Sequence, residues 1–131
     1  MGIRVFFAGN KKVYADLGSF VVETDQPQRV GGDGSAPSPY ELFLASLATC
    51  AGIYVKGFCD SRDIKADDIE LYQDLKWDTI KQSPSEINIE IRVPDSFPPN
   101  YYDALVNTVN KCAVKKTIQE QPNFNVKTVV K

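Results

Sequence analysis

The sequence predicts an α+β domain in which antiparallel strands pack against one long apolar helix. Residues 69–77 and residues 87–93 alternate apolar and polar side chains, a pattern typical of strands with one buried and one wet face. No helix breaker appears between Tyr40 and about Arg62, which predicts the long helix. A length of 131 residues suits one domain, so we expect a single domain over residues 1–131.

Three short strands and a loop open the chain. Residues 3–7 alternate in polarity, Gly9 and Asn10 offer a turn, and residues 13–16 return as the second arm of a hairpin. Residues 20–24 predict a third strand. The Gly- and Pro-rich loop that follows, residues 26–39, is long enough to be functional, although its glycines lack the spacing of a phosphate-binding loop.

The long helix has a clear start signal and an unusual composition. Ser38 and Glu41 form a capping box, with a proline between them at the first helical position. Residues 42–55 have no polar stripe, and a helix that is apolar all round must be buried all round. We therefore expect a second subunit to cover it. Gly52 and Gly57 each cost about 1 kcal/mol in a helix and predict close backbone approach.

The second half of the chain adds two strands, one or two helices and a last strand. After the strands at 69–77 and 87–93, a helix carries Leu105, Val109 and Cys112 on one side, and it continues or restarts through Glu120. Residues 124–130 predict the final strand. The expected order is β-β-β-α-β-β-α-β, an α+β domain with an antiparallel sheet and a long buried central helix.

Composition excludes several classes of function. The chain has no histidine, which excludes Ser-His-Asp and Cys-His catalysis and any zinc site built on imidazole. A formal net charge of -2 argues against nucleic acid or an anionic membrane as a partner. Residues 1–6 lack signal-peptide features, and the apolar run 42–55 is shorter than the ~20 residues of a membrane span. We expect a cytoplasmic protein with free thiols and neither metal nor cofactor.

Three cysteines are the candidates for chemistry. Cys50 lies midway along the long helix, and Cys59, nine positions later, lies on its opposite side. If any pair forms, Cys112 on the second helix is the natural partner of Cys50. From the residues alone, an inert buried side chain explains each thiol better than a reactive one does.

Two cysteine motifs carry a family resemblance. Residues 31–62 closely resemble the signature of the OsmC/Ohr family, in which a Gly-rich loop leads to S-P-x-E-L and a small-residue helix with a cysteine nine positions after the glutamate. The segment that starts at Cys112 resembles the family's second motif, C-x-V-x-[KR], at the opening of the last helix. The element order matches as well, so the chain is identified as a member of this family.

The resemblance implies an intertwined homodimer that reduces organic hydroperoxides. In the expected dimer, the two long helices lie side by side, and a sheet built from strands of both subunits covers each side. Two active sites lie at the dimer interface. Carried onto this chain, the Cys50 thiolate attacks the peroxide and becomes a sulfenic acid. Cys112 then resolves it to a disulfide, which an external dithiol reduces.

The cluster that activates the thiol departs from the family pattern. The peroxidases place a glutamate ten residues before the reactive cysteine, whereas Glu41 stands nine before Cys50, and its capping role alone explains it. Their hairpin arginine is replaced here by Lys11 and Lys12. We therefore expect Arg29, Lys12 or Lys11 to stabilise the thiolate as the nearby cation, with Glu41 as a further candidate member of this cluster.

Two further functions stay open at this stage. The same dimer can hold a small apolar ligand without peroxidase turnover, or it can sense redox state through its disulfide. The altered cation and glutamate favour ligand binding, while the matched cysteine pair favours the hydroperoxidase.

Overall fold

The protein has the mixed α+β fold that its patterning predicts. The structure, a computed structural model, describes residues 2–131, which form two compact units that divide between Ala45 and Ser46. Because this division lies inside one continuous helix, the expectation of a single domain stays a prediction. In chain order the elements are β1 (Arg4–Phe7), β2 (Val13–Asp16), β3 (Val21–Thr24), α1 (Pro39–Asp60), β4 (Glu70–Asp78), β5 (Ser83–Arg92), α2 (Tyr102–Val109) and α3 (Ala113–Glu120).

The first unit contains a three-stranded antiparallel sheet. Strand β2 pairs with β1 on one side and with β3 on the other, so that the order is β1-β2-β3. The predicted hairpin turn is confirmed: the Lys12 N–H donates to the Gly9 carbonyl at 2.9 Å. Gly9 and Asn10 both have positive φ, +104° and +48°, which these residue types adopt more easily than others.

The loop between β3 and α1 is organised around a buried carboxylate. Asp25 is fully buried, and its Oδ2 accepts hydrogen bonds from the Ser35 N–H at 3.0 Å and the Ser35 hydroxyl at 2.6 Å. The Gln26 N–H donates to Oδ1 at 2.7 Å. These donors, with the Ser35 hydroxyl first, lower the Asp25 pKa to about 2. Glycine is required at Gly32, where a Cβ would lie 1.9 Å from the Gln26 carbonyl oxygen.

Helix α1 begins at the predicted capping box. The Glu41 N–H donates to the Ser38 hydroxyl at 3.2 Å, and the Ser38 N–H donates to a Glu41 carboxylate oxygen at 2.9 Å. Two of the N–H groups at the start of the helix region are thereby satisfied, as the local sequence predicts. The helix runs for 22 residues, to Asp60.

The core of the second unit lies along one face of α1. Its residues are Ala51, Val55, Phe58 and Cys59 of α1, together with Phe97, Leu105 and Val109. The opposite face of the helix is not covered within the chain, since Ile53 is 63% exposed. A Cβ at Gly52 or Gly57 would meet no atom within 4 Å. The expected burial all round and the expected close approach at the glycines are therefore not found within one chain.

The length of α1 bears on the expectation that the chain has no membrane span. The apolar run 42–55 is shorter than a membrane span. The whole helix of 22 residues, however, is long and apolar enough to cross a bilayer by length and composition. Core helices of soluble proteins pass the same test. Because one face of α1 belongs to the core described above, we interpret it as a core helix. A cytoplasmic location stays a prediction.

Strands β4 and β5 form an antiparallel pair in the second unit. Leu71, Gln73 and Leu75 lie opposite Ile91, Ile89 and Ile87, so both predicted strands are confirmed with their apolar residues in register. The helical segment that follows is broken rather than continuous. It ends at Val109 and restarts at Ala113, because Cys112 has an extended backbone with φ −54° and ψ +132°.

The predicted last strand is wrong for the single chain. Residues 121–131 form neither helix nor strand, and Phe124, Val126 and Val130 are 90%, 95% and 99% exposed. The alternation of apolar side chains is present, but a strand needs a neighbour to receive its hydrogen bonds. Neither sheet pairs with this segment in the part of the chain that the structure describes.

Candidate thiol site

The second unit brings Cys50 and Cys112 together. Cys50 is half-buried on α1, and Cys112 is 1% exposed at the residue that caps the start of α3. The two thiols interact closely enough to shift each other's pKa: Cys112 lowers the pKa of Cys50, and Cys50 raises that of Cys112. Cys59 lies in the hydrophobic core and is 0% exposed. All three cysteines are free thiols.

The start of helix α3 lowers the pKa of Cys50. The largest contribution is a hydrogen bond from the Val114 N–H; the Cys112 thiol and the Ala113 N–H add to it, while burial acts in the opposite direction. The first N–H groups of a helix have no partner within it, and the helix dipole makes this end positive. Donors that bind the charged sulfur favour the thiolate, the form that acts as a nucleophile.

The pKa of Cys112 shifts the other way. Burial raises it most, and the hydrogen bond to Cys50 raises it further, although the Lys115 N–H, which donates to Cys112 Sγ at 3.5 Å, opposes the change. The pair thus has one thiol biased toward the thiolate and a neighbour biased toward the protonated form. Burial also raises the pKa of Cys59, as is usual for a thiol in an apolar core.

The candidate cations and Glu41 all lie in the first unit. Lys12 forms an ion pair with Asp33 at 3.3 Å, and the hydrogen bond and charge of Asp33 raise the Lys12 pKa. Lys11 is exposed. Arg29 is exposed in a 3-10 turn, and its guanidinium has no hydrogen bond or ion pair among residues 2–131. Glu41 forms the capping box described above. The thiolate-stabilising role of these four side chains stays a prediction.

Sequence reasoning missed the contribution of α3. The sequence led us to expect that a cation offsets the effect of burial on the Cys50 pKa. In the structure, a backbone N–H group is the first cause of the lowered pKa. The signal was available: the motif that starts at Cys112 opens a helix, so the next two N–H groups have no partner within that helix. What the sequence could not supply is the direction in which that helix start points.

An apolar cavity of about 430 Å³ lies in the same unit. Residues of β5, α2 and α3 form its walls, and Leu47 of α1 contributes to them. Its volume falls within the range of about 300–1,000 Å³ that is typical of small-molecule sites. Among residues 2–131, no group of three or more histidine, cysteine or carboxylate side chains is arranged to hold a metal ion.

This combination, an α+β chain with two interacting thiols, one on a long helix and one at the start of a later helix, agrees with the family comparison. Residues 32–127 match the model of the family described as OsmC-like protein. The match spans well over half of the chain, so the protein belongs to the OsmC-like family, and the resemblance noted from the sequence is confirmed. None of the curated proteins matches the sequence significantly.

Solved structures share the fold at low sequence identity. A protein from Psychrobacter arcticus 273-4, named for an osmotic stress induced and detoxification response, is similar with a TM-score of 0.72 and 24% identity, over 88% of this chain and 85% of that one. An OsmC-like protein from Mycoplasma pneumoniae has a TM-score of 0.71 and 16% identity, over 92% and 87%. The organic hydroperoxide resistance protein OhrB of Bacillus subtilis has 0.55 and 20%, over 92% and 93%.

Proposed function

We propose that this protein reduces organic hydroperoxides with Cys50 as the attacking thiol and Cys112 as the resolving thiol. The observation that carries the proposal is the interacting thiol pair on α1 and at the start of α3, in which one pKa is lowered and the other raised. Membership of the OsmC-like family supports the reaction class, since structural neighbours in Bacillus subtilis and Legionella pneumophila are named organic hydroperoxide resistance proteins.

The proposed reaction proceeds through three balanced steps. The Cys50 thiolate attacks a peroxide oxygen, an S–O bond forms as the O–O bond breaks, and the alkoxide takes a proton and leaves as an alcohol. Cys112 attacks the sulfenic sulfur, an S–S bond forms, and the hydroxyl leaves as water with the proton of the Cys112 thiol. An external dithiol then reduces the disulfide by thiol–disulfide exchange and is itself oxidised to a disulfide.

The lowered pKa of Cys50 suits the first step, because only the thiolate attacks efficiently. In the second step Cys112 gives up its proton as it attacks, and that proton leaves with the sulfenic hydroxyl as water. The catalytic pair needs no imidazole, metal or cofactor for either step. A cation that also binds the peroxide is part of the proposal, and Arg29 is favoured because its guanidinium makes no ion pair or hydrogen bond among residues 2–131.

Assembly as a homodimer belongs to the same proposal. The exposed side of α1 presents Ile53 to solvent, and its two glycines leave open space where another backbone fits. A second copy of α1 packed against this face would bury the apolar surface and use the space that the glycines leave. It would also allow the loop of the partner subunit to supply the cation.

The test is steady-state consumption of an organic hydroperoxide with a dithiol reductant. Cys50→Ser should abolish turnover, and Cys112→Ser should abolish turnover while allowing one round of oxidation. Cys59→Ser is the matched control and should retain activity, because Cys59 lies in the core. Arg29→Ala should slow the reaction more than Lys12→Ala, whose lysine is already paired with Asp33. Equal rates in the unmutated protein and Cys50→Ser would contradict the proposal.

Binding of a small apolar ligand is the second candidate function. The 430 Å³ cavity favours it, since the walls of β5, α2 and α3 are mainly apolar and the volume suits a small molecule. The two functions are separable, because ligand binding persists in Cys50→Ser whereas hydroperoxide reduction does not.

A further inference from the structure

The cavity beside α3 carries a positive charge that its walls do not neutralise. Lys115 lines the cavity and is half-buried. Its ammonium donates to the Asn110 side-chain oxygen, and no carboxylate pairs with it among residues 2–131. No carboxylate occupies this ammonium, so an anion that binds at this end of the cavity can form a charge-assisted hydrogen bond with it.

The one carboxylate on the cavity wall already has a partner. Glu86 lines the cavity, but its carboxylate forms an ion pair with Lys76 of the neighbouring strand at 3.2 Å. Lys115 therefore supplies the uncompensated charge, and the cavity favours a negatively charged group at this end.

The rest of the cavity suits a hydrocarbon chain. Ile87, Ile89 and Ile91 project from the same face of β5, since successive side chains of a strand alternate between faces. Val106 of α2 and Ile118 of α3 line the cavity with them, and both are partly exposed, at 51% and 42%. An acyl chain that covers these side chains would remove apolar surface from water and so stabilise the complex.

We propose that this cavity binds a medium-chain carboxylate, with the acyl chain on the isoleucines of β5 and the carboxylate on the Lys115 ammonium. The carboxylate would accept from the Lys115 ammonium, either in place of the Asn110 oxygen or alongside it. The proposal does not rest on hydroperoxide reduction, because neither Cys50 nor Cys112 lines the cavity. The proposed ligand must have a negatively charged head group, whereas a purely apolar pocket would not require one.

The test is an equilibrium titration of the Cys50→Ser protein with decanoate, below the concentration at which decanoate forms micelles. Decanol has the same chain and no charge, and it should bind at least about tenfold more weakly than decanoate. Lys115→Gln should weaken decanoate binding about tenfold and leave decanol unchanged, whereas Lys115→Arg keeps the charge and should retain most of the affinity. Lys116→Gln is the matched control, since that side chain is 69% exposed and is 4.0 Å from Glu120.

Three results would overturn the proposal: no binding of decanoate, equal binding of decanol and decanoate, or equal losses in Lys115→Gln and Lys116→Gln. Circular dichroism checks that each variant is folded. If Lys115→Gln does not fold, the comparison of decanoate with decanol binding to the Cys50→Ser protein still tests the proposal. If decanoate does not bind, the proposed hydroperoxide reduction is unaffected, because that activity is measured through Cys50 with a peroxide as the probe.

Discussion

The sulfur of Cys50 lies where two backbone N–H groups and a neighbouring thiol converge. Because these donors bind the charged sulfur, they lower its pKa, whereas burial and the Cys50 contact raise that of Cys112. The two cysteines therefore differ in protonation over a range of pH although they touch each other. In the proposed reaction this difference makes Cys50 the attacking thiol, and it arises from backbone geometry and burial.

The first prediction concerns the pH dependence of thiol reactivity. The alkylation rate of Cys50 should rise with a midpoint at lower pH than that of the same cysteine in the urea-unfolded chain, because its folded-state pKa is lowered. Cys112, which is 1% exposed and whose pKa is raised, should be alkylated far more slowly than Cys50 while the protein is folded. Alkylation by iodoacetamide, followed by peptide mass spectrometry, measures both sites at once. A Cys50 midpoint at or above its unfolded value would contradict the prediction.

A second prediction concerns Asp25 and the loop between β3 and α1. Its folded pKa of about 2 is below the ordinary value of 3.8. The carboxylate therefore stabilises the fold above about pH 4, and this contribution is lost as pH falls toward 2. Asp25→Asn should lower the thermal midpoint at pH 7 and speed hydrogen exchange at the Ser35 amide, which donates to Asp25. The exposed Asp95 provides the control substitution, Asp95→Asn, and an equal effect of the two variants would refute this role.

Elements whose signals are local could be predicted from the sequence. The capping box at Ser38 and Glu41 predicted where α1 begins, because both hydrogen bonds join residues three positions apart. The strands β4 and β5 followed from alternation in polarity. The last strand failed because its alternation is real but its hydrogen-bonding partner is not specified by the segment itself.

The thiol site also has one part that the sequence predicted and one part that it did not. Two cysteine motifs and the family resemblance predicted that Cys50 and Cys112 pair, and the structure brings their thiols together. The backbone donors at Ala113 and Val114 were not predicted, because the break after α2 and the direction of α3 depend on packing between elements that are distant in sequence. The sequence therefore predicted which two thiols interact, while the orientation of α3 had to come from the structure.

The third prediction tests the start of α3 as an element. Ala113→Pro should fold normally, because proline suits the first helical position and the preceding Cys112 already has the extended backbone that a proline requires. It removes the Ala113 N–H, a smaller contributor than Val114, so the Cys50 pKa should rise slightly. The alkylation profile measures the shift, and Ala113→Gly, which keeps the N–H, is the control. An unchanged or lower Cys50 pKa in the proline variant would contradict the assigned role of this N–H.

The fourth prediction concerns the whole molecule and its uncovered helix face. A dimer built on α1 should bury upward of about 2,000 Å² in total, which makes it stable at micromolar concentration. Ile53→Glu places a charge on the exposed apolar side of α1 and should produce monomers in sedimentation velocity. Ile80→Glu is the matched control, because Ile80 is 93% exposed in the turn between β4 and β5. A folded, unmutated monomer at micromolar concentration would contradict the dimer.

The central claim is that Cys50 attacks the hydroperoxide and Cys112 resolves it, and a single turnover tests it most directly. Reduced protein is mixed with a stoichiometric organic hydroperoxide in the absence of dithiol, quenched by alkylation, and digested for mass spectrometry. The account predicts one alcohol released per chain and a disulfide between Cys50 and Cys112, with Cys59 alkylated only after unfolding because it is 0% exposed. Release of alcohol at the same rate from Cys50→Ser, or a disulfide that contains Cys59, would contradict it.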